Sequence, residues 1–151
     1  MKFCLNMMLV AVLLLGGCAK KEAVGLHKDQ PPHGGTPVAL GDNYHIEFVL
    51  DAASGTLSAY ILDDEMEEFV RTDMRSFEVT AKINGVEQAL KFNAVANPAT
   101  GETVGDTAQF TAQADWLKTT KTFDAVIKSV TLDGTTFSHV AFNFPNGSGA
   151  D

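Results

Sequence analysis

Ser76-Phe77-Glu78-Val79-Thr80-Ala81-Lys82-Ile83, followed by Asn84-Gly85, decides the fold. Phe77, Val79, Ala81 and Ile83 alternate with Ser76, Glu78, Thr80 and Lys82, the period of two that turns one face of a strand to a core and the other to water. Asn-Gly then supplies the two positive-φ positions of a tight hairpin, and Leu90 and Phe92 mark the return strand. The rhythm extends both ways. Upstream, Tyr44, Ile46, Phe48 and Leu50 alternate with His45, Glu47 and Val49, and Leu57, Ala59 and Ile61 follow. Downstream, Phe123, Ala125 and Ile127 lead to a second hairpin signal, Asp133-Gly134, and Val140, Phe142 and Phe144 form the last strand. Short strands punctuated by turn residues predict an all-β domain over residues 36–146, a small antiparallel β-sandwich (Ig-like), with barrel closure as the alternative. One helical turn is expected at residues 114–118, with Asp115 as N-cap and Trp116 and Leu117 over an edge of the core. Residues 97–106, NPATGETVGD, read as a long polar loop, and 147–151 as a disordered tail.

The N-terminal end has a different character. Residues 1–17 read as an export signal: Lys2, an uncharged apolar run from Met7 to Leu15, then Gly16-Gly17. Leu15-Gly16-Gly17-Cys18 resembles the lipobox of bacterial lipoproteins, whose cysteine becomes the acylated N-terminus. That resemblance implies a diacylglycerol thioether and an N-acyl chain on Cys18. At about 0.8 kcal/mol per buried CH₂, several such chains anchor the protein to a membrane for good. An ordinary secretory signal with a chance cysteine is the alternative. Residues 18–35 then form the lipidated cysteine and a flexible tether, because AKKEAVGLHKDQPPHGG buries too little to offset its ordering entropy. The expected location is the cell envelope, with the domain in the periplasm or outside the membrane. Ala19, where an aspartate marks inner-membrane retention in some bacteria, slightly favours the outer membrane.

Composition narrows the function classes. The chain has 151 residues, 45% of them apolar, and a formal net charge of −8. One domain of this size can bury a core without staples. Its only cysteines are Cys4 and Cys18. The first would leave with the signal and the second would be acylated, so neither a disulfide nor a thiolate site is expected. Acidic charge opposes the phosphate attraction on which nucleic-acid binding rests, so no nucleic-acid partner is expected. No G-x-S-x-G elbow, P-loop, G-x-G-x-x-G or H-E-x-x-H occurs, and the expectation is a binding protein rather than an enzyme.

His45 and Glu47 are the candidate site. Residues i and i+2 of a strand share a face, about 6.5–7 Å apart, and imidazole nitrogen and carboxylate oxygen both bind Zn²⁺. Their face is opposite the core-directed Tyr44, Ile46, Phe48 and Leu50, so they are not expected in the core. His33, in Pro31-Pro32-His33-Gly34-Gly35, has glycines that let it fold back as a third ligand. Nitrogen and oxygen donors without sulfur suit Zn²⁺, Cu²⁺ or Ni²⁺. The plainer alternative is a solvated strand face beside a linker histidine. The acidic run Asp63-Asp64-Glu65-Met66-Glu67-Glu68 is either a cation-collecting loop or a solvated strand connection. Met66 is expected to pack, His139 to be structural and His27 to be solvated.

A family resemblance bears on this site. Pro-His-Gly-Gly at 32–35, Leu40-Gly41-Asp42, Tyr44-His45-Ile46-Glu47 and the run from Gly55 to Asp63 resemble a group of uncharacterised bacterial envelope lipoproteins over residues 32–146. The first three strands are more distantly similar to the N-terminal sandwich module of periplasmic adaptor subunits in heavy-metal efflux pumps. Both resemblances imply a small β-sandwich. The second implies metal handling at His33, His45 and Glu47. Relatives of this kind often carry a histidine in the turn after Asp63, where this chain has Glu65, a carboxylate ligand of lower selectivity for soft metals. The adaptor's helical hairpin and barrel domains are missing, so a pump subunit is not expected. The leading expectation is thus a lipid-anchored module binding Zn²⁺ or Cu²⁺ through His33, His45 and Glu47 or Glu65. Its rival is a structural or protein-interaction module of the envelope that uses the loop 97–106 and no metal.

Overall fold

The structure, a computed structural model, describes residues 30–148. Apart from one short 3-10 turn, its regular structure is eight strands: β1 Thr36–Leu40, β2 Tyr44–Asp51, β3 Thr56–Asp63, β4 Ser76–Ile83, β5 Val86–Ala94, β6 Gln109–Gln113, β7 Phe123–Leu132 and β8 Thr135–Phe144. They form one antiparallel sheet in the order β1-β2-β3-β6-β5-β4-β7-β8. The all-β antiparallel fold is therefore as the alternation requires. Among the described residues no helix is long and apolar enough to cross a membrane. Cys18 and residues 1–17, the expected export signal, lie outside the described residues.

The sandwich arises by folding this one sheet over. β5 and β6 pair only at Asn93↔Thr111 and Ala94↔Phe110, so little backbone bonding joins the two halves there. Aromatic rings then pack across the fold. Phe48 of β2 stacks on Phe142 of β8 with centroids 4.8 Å apart, and Phe77 of β4 meets Phe110 of β6 edge-on at 5.3 Å. The outer strands meet as well: the Thr36 hydroxyl donates to the Pro145 carbonyl, and the Ala39 N–H donates to the Ser148 hydroxyl, both at 3.1 Å. Val38, Ile46, Leu57, Val79 and Ile127, from five different strands, are fully buried between the halves.

Several details differ from the sequence reading. β1 and β6 are additions to the sequence reading, each only five residues long. Pro37 is tolerated because β1 is an edge strand, where a missing N–H breaks no ladder. Asp115 is not the N-cap: it is the first residue of a 3-10 turn, Asp115–Lys118, capped by Ala114 without a side-chain bond, and it pairs with Lys118 instead. Leu117 is buried and Trp116 packs edge-on against Phe123, as expected. The tail joins the body for two residues longer than expected, since Gly147 exchanges backbone bonds with Asn143. Residues 149–151 lie outside the described residues. In β7 the core-facing positions change parity, from Phe123, Ala125 and Ile127 to Val130 and Leu132. The change falls opposite His139, an exposed residue at φ 55°, a costly conformation for a side chain with a Cβ.

Candidate functional site

Glu47 organises the site. In register it sits between Pro37 of β1 and Tyr60 of β3, on the outer face of the sheet. Alternation along β2 puts it off the core face, yet it is completely buried. The reason is the segment 31–35, which folds back over it instead of trailing away as tether. The Gly34 N–H donates to the Pro31 carbonyl at 2.9 Å, and the turn needs Gly34 at φ 67°. Gly35 follows with no room for a side chain: a Cβ there would lie 2.8 Å from Cγ2 of Val49 and closer still to the Phe48 carbonyl.

Three donors then converge on the one carboxylate. Oε1 accepts the N–H groups of His33, at 2.9 Å, and Gly35, at 2.8 Å. Oε2 lies 2.8 Å from Nδ1 of His33. An ionised carboxylate only accepts, so Nδ1 carries the hydrogen, and in the neutral imidazole Nε2 is then the ring nitrogen with the free lone pair. His33 lies flat on Tyr60, with ring centroids 4.0 Å apart and planes 20° from parallel. Phe69 completes a three-ring platform at 5.7 Å from His33 and 6.0 Å from Tyr60.

The other expected site residues lie elsewhere. His45 turns its Nδ1 to the Asp63 carbonyl at 3.3 Å, away from Glu47 despite the shared strand face. Glu65 is exposed in the acidic turn. That turn is closed by its own backbone, since Oδ1 of Asp63 accepts the N–H groups of Glu67 and Glu68 at 2.9 and 3.2 Å. Met66 is tucked beneath it, as expected of a packing residue. Among the described residues no three His, Cys, Asp or Glu side chains gather where one ion would be held. His33 and Glu47 are thus brought together, and His45 and Glu65 are not.

Beside the platform opens a cleft of about 610 Å³, lined by His33, Tyr60 and Phe69 and, from the loop 97–106, by Asn97, Thr100 and Glu102. The loop is tied down. Arg71 bonds the Thr100 carbonyl at 2.6 Å and the Asp106 carboxylate at 3.3 Å. Oε1 of Glu102 accepts the Ala108 N–H at 2.9 Å and the Thr107 hydroxyl at 3.3 Å. Desolvation pushes the Glu102 carboxyl up, but these bonds, with the Thr100 hydroxyl and the Arg71 charge, outweigh it and hold the group below the ordinary carboxylate range. Glu67 and Glu68 also line the cleft, and neither has an ion-pair partner among the described residues.

Tyr60 and Phe69 were missed as site residues. The signal for Tyr60 was an aromatic at an outward position of β3, between the inward Ala59 and Ile61; Phe69 had none beyond its place at the end of an acidic run. Comparison with known protein families, with curated proteins and with solved structures finds no match for this chain.

Proposed function

We propose that this chain is a lipid-anchored, non-catalytic binding module of the bacterial envelope that engages another envelope protein through the cleft beside His33, Tyr60 and Phe69. The observation that carries this reading is a preformed cleft whose walls are braced by Arg71, Glu102 and Glu47 and whose aromatic edge, Phe69, is 48% exposed. Anchorage rests on the lipobox-like stretch ending at Cys18 and on the resemblance to envelope lipoproteins. Because segment 31–35 is fastened to the domain, the chain between Cys18 and His33 can hold the cleft no further than about 50 Å from the lipid. A photo-crosslinking amino acid at position 69 is expected to give a discrete adduct in the membrane fraction of living cells, lost when Cys18→Ser removes the anchor. No reproducible adduct would overturn the reading.

A transition-metal reading has its own support in the His33–Glu47 pair. Metal-binding histidines characteristically give their second ring N–H to a carboxylate, which fixes the tautomer and makes the free nitrogen a better donor. On this reading Nε2 of His33 binds Zn²⁺ or Cu²⁺, Glu47 orients the ring without ligating, and His45 and Glu65 swing in to complete the set. Calorimetric titration is expected to show one equivalent of metal, lost in both His33→Ala and His45→Ala. Unchanged binding in His33→Ala would remove this assignment.

A further inference from the structure

The cleft has a chemistry specific enough to name what it takes. The aromatic platform is a packed cluster and not a flat surface: His33 stacks on Tyr60 at 4.0 Å, and Phe69 meets that pair at 5.7 and 6.0 Å with planes tilted by 50° and 61°, so a ligand lies against the exposed Phe69 ring and not among the three. A planar or apolar group fits such a surface. The charge balance is one-sided. Arg71, a cation on the lining, is already held by Asp106 and the Thr100 carbonyl, while Glu67 and Glu68 are exposed and unpaired among the described residues. An anionic ligand meets two uncompensated carboxylates and is repelled. A neutral one leaves both charges unused.

A guanidinium satisfies both features. It is planar, stacks on aromatic faces, and presents a fork that pairs with carboxylates in two parallel bonds. Asn97 and Gln109 are also on the lining. Oδ1 of Asn97 already accepts the Ala99 N–H and Nε2 of Gln109 donates to the Tyr60 hydroxyl, so the Asn97 amide nitrogen and the Gln109 amide oxygen are the ends that suit the backbone of an extended peptide. The net charge of −8 steers such a cationic segment toward the protein.

We infer that the cleft binds an extended segment of a partner protein in which arginine stands next to an apolar residue, with the guanidinium between Phe69 and the carboxylates of Glu67 and Glu68. This deepens the interaction reading above and rests on it.

The test uses the full chain purified in mild non-ionic detergent and fluorescent blocked hexapeptides carrying two arginines between leucines, with lysine and glutamate versions alongside. The arginine peptide is expected to bind most tightly, the lysine peptide more weakly and the glutamate peptide not at all, with affinity falling as salt rises. Phe69→Ala, and separately the double change Glu67→Gln with Glu68→Gln, should each weaken arginine-peptide binding by about tenfold or more. Both changes are at exposed side chains, so folding is retained. Equal binding of all three peptides, or arginine-peptide binding unmoved by either change, overturns the inference. If no peptide binds but position 69 still crosslinks a partner in cells, the arginine assignment fails and the interaction reading stands. If position 69 also captures nothing, both fail.

Discussion

Phe48→Ala is expected to lower the unfolding free energy by about 3–5 kcal/mol, since it removes a buried ring and leaves a cavity that its rigid neighbours cannot fill. Against the roughly 5–15 kcal/mol of a typical domain, that is a large share of the total. The site makes the upper part of the range reasonable. Phe48 is fully buried, lies parallel to Phe142 within 6°, and meets Phe92 edge-on at 5.5 Å. One ring on β2 therefore touches β8 and β5, both in the opposite half of the folded sheet. Because backbone bonding between the halves is limited to a short seam at Asn93, Ala94 and Val95 against residues 109–111, side chains such as this one do much to hold the halves together. Urea denaturation measures the loss. A double-mutant cycle with Phe142→Ala should show coupling, because the two rings share one contact. A loss below about 1.5 kcal/mol, the cost of a mild core swap, would mean the halves close without this ring.

What the sequence made legible was periodicity. β4 was readable because apolar and polar residues alternate along its whole length, β2 and β5 because large apolar residues recur at every second position (Tyr44, Ile46, Phe48 and Leu50; Leu90 and Phe92), and Asn84-Gly85 sets the register Ile83↔Val86 between β4 and β5. β6 was not readable: Gln109-Phe110-Thr111-Ala112-Gln113 has one large apolar residue, and its place between β3 and β5 comes from long-range pairing that no local pattern encodes. The same limit governs the site. Residue spacing along β2 correctly puts His45 and Glu47 on one face, but it cannot say what covers that face. Burial of Glu47 depends on Gly34 and Gly35 turning the chain back over it, a tertiary event whose only local trace is the Pro-Pro-His-Gly-Gly stretch. Reading those glycines as freedom rather than as a tight turn made the segment look like tether. The sequence offers His33 only as a third metal ligand folding back, and spacing along β2 pairs Glu47 with His45; the hydrogen-bonded His33–Glu47 pair comes from the turn of segment 31–35. Tyr60 and Phe69 lacked the polar chemistry by which site residues are usually sought, and it is the cleft itself that singles them out.

Glu47→Ala is expected to cost about 2–4 kcal/mol, since bonds to a charged acceptor are the strong ones and three donors lose theirs at once. The loss is less than three bonds summed, because segment 31–35 can lift away and recover water. Lifting it takes His33 off Tyr60 and strips one ring from the platform, so ligand binding at the cleft should fall with stability. Glu47→Gln separates the two consequences. Its amide oxygen still accepts from the N–H groups of His33 and Gly35, and its NH₂ can donate to Nδ1, so the segment stays in place. The cost should then be within about 1 kcal/mol, one ordinary hydrogen bond. The tautomer, however, must invert: Nδ1 now accepts, so the hydrogen moves to Nε2 and the free lone pair is lost. Nitrogen NMR of the imidazole reports this directly, as an exchange of the protonated and unprotonated ring positions. A metal bound through Nε2 would be lost in Glu47→Gln, whereas a peptide resting on the rings would still bind. If the imidazole keeps its hydrogen on Nδ1 in that variant, Glu47 does not set the tautomer and the metal reading loses its support. If metal binding disappears while peptide binding persists, one residue change will have distinguished the imidazole acting as a donor from the imidazole acting as a surface.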